Sequence, residues 1–346
     1  MRALKTILII LGVLVAVVII LGLTGSDTYR CERSVTIAAP ASAVYAHVSS
    51  LEAMDKWSPW NDYDPNMKKS MEGTDGTVGA VAKWEGNEDV GKGEQRIDSL
   101  MPDKGIRLSL KFLEPWQSES SVGVDLEPRN DSTRVTWRMS GTNDFMGKVM
   151  GVFMNMDEMI GKDFDKGLAS LKGLVEADAM AEKEANAKLM AMYTIETGER
   201  PATTYVGVRK RIKWADMKQF FGESFGAAGA AMGAAKVKPS GAPTGVYFEW
   251  DQVNMEADVL AGFPIAEAAK GKVKDLTEYE VPAGKAYWIK YMGGYNSMGT
   301  AHMALAARIE ADGMTHQGNV IEEYITDPGS TPDSTQWQTN IIWMVK

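Results

Sequence analysis

From Thr6 to Leu23 the chain reads TILIILGVLVAVVIILGL, a stretch without a charge. As an α-helix it would be about 27 Å long, enough to cross a hydrocarbon core. The stretch therefore predicts a membrane anchor, with the folded body of the chain beginning after it. The alternative is a cleaved signal peptide, but no small-x-small cleavage site follows, and Cys31 stands after Arg30 rather than in a lipoprotein-type setting. Arg2 and Lys5 precede the stretch, whereas TGSDTYRCER after it mixes Asp27 and Glu32 with Arg30 and Arg33. By the positive-inside rule this places the amino terminus in the cytoplasm and the body on the far side. In a bacterium the expectation is a single-pass inner-membrane protein with a periplasmic or extracytoplasmic body.

At 346 residues the chain has length for about two domains, each able to bury a core. A formal charge of -9 argues against a nucleic-acid surface, which needs a basic stripe. The single cysteine, Cys31, excludes an internal disulfide framework. His47, His302 and His316 share no metal-ligand spacing, so no metal site is expected. No nucleophile elbow, phosphate loop or dinucleotide fingerprint is present, and no cofactor is expected.

After the anchor, SVTIAAP (Ser34 to Pro40) alternates like a strand, and ASAVYAHV has helical spacing. Further strands are expected at Val78–Trp84, Gly93–Ser99, Ile106–Phe112, Ser120–Leu126 and Thr133–Ser140. In DEMIGKDFDKGLASLKGLVE, Ile160, Phe164, Leu168, Leu171 and Val175 form one stripe at three- and four-residue steps, which must lie on a sheet. The segments RSVTIAAPASAVYAHVSS, MDKWSPWNDYDP, FMGKVMGVFMNMDEMIGKDF and the final helix resemble the SRPBCC superfamily, the START-like or polyketide cyclase group. That resemblance implies a curved antiparallel sheet gripping a long C-terminal helix around an apolar cavity, and no single reaction. Trp57 and Trp60, flanking Ser58-Pro59, are either at the cavity mouth or fix a loop against the sheet. The run Met146, Met150, Met154, Met156 and Met159 is an adaptable lid, core filler near a helix start, or a membrane-facing patch.

EADAMAEKEANAK, Glu176 to Lys188, lacks a broad apolar stripe and reads as a solvated helical spacer. Beyond it lies a weak internal repeat. TTYVGVRKRI and GKAYWIKYMGGY are strands, each followed by a helix and then a strand pair: VYFEWD with MEADVLAGFPI, and NVIEEYITDP with TQWQTNIIWMV. Two copies of strand-helix-strand-strand predict a pseudo-twofold α+β domain. The expected organisation is residues 1–26 tip and anchor, 27–176 first domain, 177–191 helical linker and 192–346 second domain.

In the second half, GAPTGVYFEWD, MEADVLAGFPI, VPAGKAYWIKYMGGYNSMGTAHMALAARIEADGM and VIEEYITDP with TNIIWMV resemble the GyrI-like small-molecule-binding domain, the effector-binding domain of AraC- and MerR-type regulators. Strand alternation puts Glu322 on one face with Tyr324, and Glu323 on the other with Ile321 and Ile325. The resemblance implies that Glu322 points into a groove between the two halves. A carboxylate in an apolar groove is costly unless paired, so it would be protonated or await a cation, and lipophilic cations are the first ligand class to consider. Tyr291 and Tyr295 around Gly293-Gly294, with Tyr247 and Trp250 on the first-half strand, are further groove candidates suited to a flat cation. Family members commonly carry a histidine and a proline at this glycine turn, which are missing here. No DNA-binding head accompanies the domain, so direct transcriptional control is not expected.

The leading expectation is a membrane-anchored protein that senses, sequesters or hands over a hydrophobic or cationic small molecule. The alternatives are a hydrolase or cyclase with Glu322 as general base and Tyr324 as hydrogen-bond donor, and an interaction protein with filled cavities.

Overall fold

A computed structural model describes residues 2–153 and 155–346. Met154 of the methionine run, and the side chain of Met156, lie outside what is described. The chain divides into two compact units, Met1–Glu182 and Lys183–Lys346.

The first unit opens with helix α1 (Arg2–Thr24). Within it Leu4–Thr24 is long and apolar enough to cross a membrane. Then follow β1 (Thr28–Ile37), α2 (Ala41–Val48), α3 (Leu51–Asp55), β2 (Lys68–Glu72), β3 (Val81–Glu85), β4 (Lys92–Met101), β5 (Gly105–Glu114), β6 (Ser118–Arg129), β7 (Ser132–Thr142), α4 (Phe145–Gly151) and α5 (Met156–Ala191). The sheet order is β1-β7-β6-β5-β4-β3-β2, with antiparallel neighbours throughout. Period-two alternation along β7 sends Thr133, Val135, Trp137 and Met139 inward. They meet Phe164, Leu168, Leu171 and Val175, the stripe expected on α5, all buried. Each such side chain contributes about 1.5–3 kcal/mol of transfer free energy.

Two details depart from the sequence pattern. Val78 to Ala80 lie outside β3, because the chain turns through Gly76 and Gly79 at φ 71° and 93°, where side chains are strained. Strand β2 forms from KKSME, which has no apolar alternation; it is an edge strand on β3 with mostly solvated side chains.

At the other end of the sheet, α1 rests on α4. A Cβ on Gly22 would fall within the Phe145 ring, and one on Gly25 would meet the Lys148 backbone oxygen at 2.7 Å, so only glycines allow this approach. Lys148 pairs with Asp27, Asn143 Nδ2 donates to the Ser26 oxygen at 3.0 Å, and Asp144 caps α4 by accepting from the Gly147 N–H.

The second unit contains β8 (Ile195–Arg200), β9 (Thr203–Lys213), α6 (Met217–Ala234), β10 (Thr244–Asp251), β11 (Glu256–Ile265), β12 (Thr277–Val281), β13 (Gly284–Met292), α7 (Gly299–Ala311), β14 (His316–Tyr324) and β15 (Gln338–Val345). Its sheet order, β12-β9-β11-β10-β14-β15-β13-β8, is symmetric about the β10–β14 pair. The two strand-helix-strand-strand copies thus join through their third elements, with β12 and β8 as added edges. Helix α7 packs Ala301, Leu305 and Ile309 over Ile289 and Ile341, and α6 packs Phe220 over Ile212, Val259 and Val320. The alternate residues Val246, Leu260, Ile321 and Ile342 form a separate core cluster.

Leu171→Ala, which empties a fully buried position on the α5 stripe, is expected to cost the first domain about 2–5 kcal/mol. The denaturant midpoint checks this; an unchanged midpoint would mean that α5 does not seal the core.

Candidate functional site

Strands β10 and β14 meet at the pseudo-twofold axis with Gly245 opposite Glu322 and Tyr247 opposite Val320. Opposed residues share a face, so Gly245, Tyr247, Glu322 and Tyr324 all lie on one side. A Cβ at Gly245 would come within 3.1 Å of the Phe221 ring, which would have to give by a few tenths of an ångström. Beyond Tyr247 the β10–β11 register shifts by a bulge between Tyr247 and Glu249. A bulge re-aims the strand, and Trp250 stacks on Tyr247 at 4.9 Å and 18°, although three residues apart.

Glu322 is 2% exposed. Its Oε2 accepts from Tyr324 Oη at 2.7 Å and Tyr247 Oη at 3.0 Å. Its Oε1 lies 3.0 Å from His302 Nε2 on α7. The indole N–H of Trp343 on β15 points at His302 Nδ1 over 3.2 Å. An indole nitrogen only donates, so Nδ1 is the acceptor and the imidazole proton sits on Nε2, directed at the carboxylate; the hydrogen-bond network assigns this tautomer. Burial, with the Glu322 charge next, holds the Tyr247 and Tyr324 hydroxyls well above the ordinary tyrosine value. Both tyrosines are therefore uncharged at neutral pH.

The adjacent acid is treated differently. Glu323, on the opposite face, pairs with Arg200 at 2.6 Å and accepts from Asn340 Nδ2 at 2.9 Å. Among the described residues, no lysine or arginine pairs with Glu322.

Aromatic rings close around the acid. Phe221 and Phe225 of α6 meet Tyr324 edge-on at 5.6 and 5.9 Å, and Tyr295 does so from the other half at 5.4 Å. Burial, followed by the Asp327 and Glu322 charges, raises the Tyr295 hydroxyl as well.

The first unit has a cavity of about 720 Å³ whose lining includes Trp57, Trp60, Trp84, Phe112, Trp137 and Phe164. Trp137 stacks on Phe164 at 3.9 Å and 2°, with Trp57 and Trp60 edge-on to it at 4.9 and 5.6 Å. Trp57 is buried and its indole N–H donates to the His47 oxygen at 2.9 Å. Among the charged lining groups, Lys69 holds Asp55 at 2.7 Å, and Asp163 accepts from Tyr63 at 2.7 Å.

Residues 28–176 match the family described as polyketide cyclase / dehydrase and lipid transport, and residues 193–346 match the GyrI-like small molecule binding domain. The chain joins an SRPBCC domain to a GyrI-like domain. Among solved structures it is similar to the EcmrR C-terminal domain (18% identity, TM-score 0.37, covering 45% of this chain and 98% of that one). It is also similar to protein CV1439 from Chromobacterium violaceum (20%, 0.33, 43% and 97%), and to SAV2435 bound to tetraphenylphosphonium (11%, 0.33, 44% and 94%). A comparison with curated proteins gives no match.

In the GyrI-like domain the structure brings Glu322, Tyr324, Tyr247, Trp250 and Tyr295 together. Tyr291 is spent elsewhere: it is buried beneath α7, 6.5 Å from the Tyr193 ring, and its hydroxyl donates to the Gly294 oxygen at 3.3 Å. Trp57 and Trp60 belong to the SRPBCC cavity. Sequence reasoning passed over His302, Phe221, Phe225 and Trp343 as site residues. For His302 a signal existed, because it falls on the inward stripe Met298, His302, Leu305, Ile309, where a polar residue needs a partner.

Tyr247→Phe strips one donor from the buried carboxylate and is expected to cost about 1–3 kcal/mol. In a Glu322→Met background the same change should cost little, since the acceptor is gone. Equal costs in both backgrounds, by denaturant unfolding, would mean that the hydroxyl is not engaged with the acid.

Proposed function

We propose that the protein is a membrane-anchored binding protein, held by Leu4–Thr24 with its body outside the cytoplasm, that takes up a hydrophobic or cationic small molecule. One observation carries this reading: Glu322 is buried against two tyrosine hydroxyls and His302 with no lysine or arginine partner among the described residues, whereas Glu323 beside it has its own arginine. A carboxylate withdrawn from water without a countercharge favours a cation brought by a ligand. The surrounding rings of Tyr247, Trp250, Tyr295 and Tyr324 present π faces and edges suited to a flat or aryl-substituted cation. The acid is covered by Phe221, Phe225 and Tyr295, so entry requires these side chains to swing aside, and ligand affinity selects the opened arrangement.

The hydrolase alternative fits the same geometry less well. A general base must offer a free lone pair to the proton that it removes, and with both Tyr hydroxyls on Oε2 and His302 on Oε1 a single acceptor position is left. In the SRPBCC domain the aromatic wall around Trp137 suits an apolar ligand.

The test is thermal unfolding of the detergent-solubilised full chain with lipophilic cations, neutral lipids and anions, alongside Glu322→Gln. At 100 times the dissociation constant, a binding cation should add about 2.7 kcal/mol to the wild type and nothing comparable to the variant. If no cation shifts the wild type and Glu322→Gln alone raises stability, the acid is a strained structural group and the binding reading fails.

A further inference from the structure

The end of the first domain's sheet that meets α1 is apolar where it faces outward. On α4 and just after it, Phe145, Met146, Met150 and Phe153 are exposed, Phe153 by 72%, and in the β5–β6 turn Trp116 is exposed by 82%. Strand register brings these elements to the same end: Thr28 pairs with Thr142 just before α4, and Ser120 pairs with Gly141 just after the turn that holds Trp116. Exposed apolar side chains gathered in this way mark an interaction surface.

What covers them is given by the chain itself. Phe145 packs against Gly22, a residue inside the membrane-spanning stretch rather than beyond it. Gly22 lies only about 3 Å along the helix from Thr24, so α4 sits at the depth where the span leaves the hydrocarbon. Lys148, the only charged residue of α4, is turned back onto Asp27 and leaves the remaining surface apolar. Trp116 and Met159, both exposed, also line the 720 Å³ cavity.

We propose that this rim lies in the interface of the lipid bilayer, with α4 as a second, peripheral membrane contact beside α1, so that the cavity opens toward lipid and its ligand passes between leaflet and cavity without crossing water. Short helices that bear Phe and Met toward lipid, and Trp at headgroup level, are the physical requirements of such a contact. The inference rests on the reading of α1 as a membrane anchor, and the test separates the two.

Nitroxide labels would be placed in the full chain, reconstituted into phosphatidylcholine–phosphatidylglycerol vesicles, through Met150→Cys, Trp116→Cys, Ile10→Cys within the span, and Lys104→Cys at the opposite end of the sheet. Native Cys31 is buried, and burial above all pushes its thiol up to about 11, so it stays unlabelled near neutral pH. Power saturation then compares access of oxygen, which concentrates in lipid, with that of a water-soluble nickel chelate. The expected result is that labels at 150, 116 and 10 share a lipid signature, with an oxygen-to-nickel ratio several-fold above that at 104. A water signature at 150 with position 10 in lipid overturns the proposal and leaves the anchor standing. Position 116 in water with 150 in lipid overturns the lipid-facing cavity. Position 10 in water removes the anchor and the proposal together.

Discussion

A carboxyl group taken out of water with no lysine or arginine to meet it is the constraint around which the GyrI-like domain is arranged. Glu322 lies on a central strand at the junction of the two copies, and its three hydrogen-bond donors come from strand β10, strand β14 and helix α7. Each donor depends on a further contact: Tyr247 on Trp250, Tyr324 on the phenylalanines of α6, and His302 on the Trp343 indole. The domain supplies hydrogen bonds to Glu322 with no lysine or arginine among the described residues, whereas one residue along the chain Glu323 is given Arg200. That contrast within one dipeptide is the physical basis for reading Glu322 as a ligand-binding group.

The first domain follows a different logic. Its interior is built from aromatic contacts around Trp137 and Phe164 rather than from a charged centre. Of the charged side chains that reach the cavity, Lys69 pairs with Asp55 and Asp163 accepts from Tyr63. Such a wall offers shape and apolar area rather than charge. The close glycine contacts of α1 on α4 give the apolar rim near that cavity a defined relation to α1.

Much of this was legible in the sequence where a period carried it. The five-residue stripe of α5, the duplicated strand-helix-strand-strand order and the parity that separates Glu322 from Glu323 all follow from repeats of 3.6 or 2. Edge strands β2, β8 and β12 were not legible, because short and largely solvated strands need no apolar alternation. The bulge that turns Trp250 beside Tyr247 leaves no local trace either. His302 escaped notice because its meaning is non-local: its partners lie 20 and 41 residues away and become neighbours only through sheet order. Tyr291 failed for the converse reason, since its place beside the Gly293-Gly294 turn suggested the groove while β13 tucks it under α7.

The most direct measurement is the affinity of the full chain for a lipophilic aryl cation against that of an uncharged compound of the same shape, by equilibrium dialysis of wild type and Glu322→Gln. The account predicts that the wild type prefers the cation by at least about tenfold, or 1.4 kcal/mol, and that the variant loses this preference while keeping its affinity for the neutral compound. Equal affinities in the wild type would contradict it, because a ligand that ignores charge has no use for a buried acid.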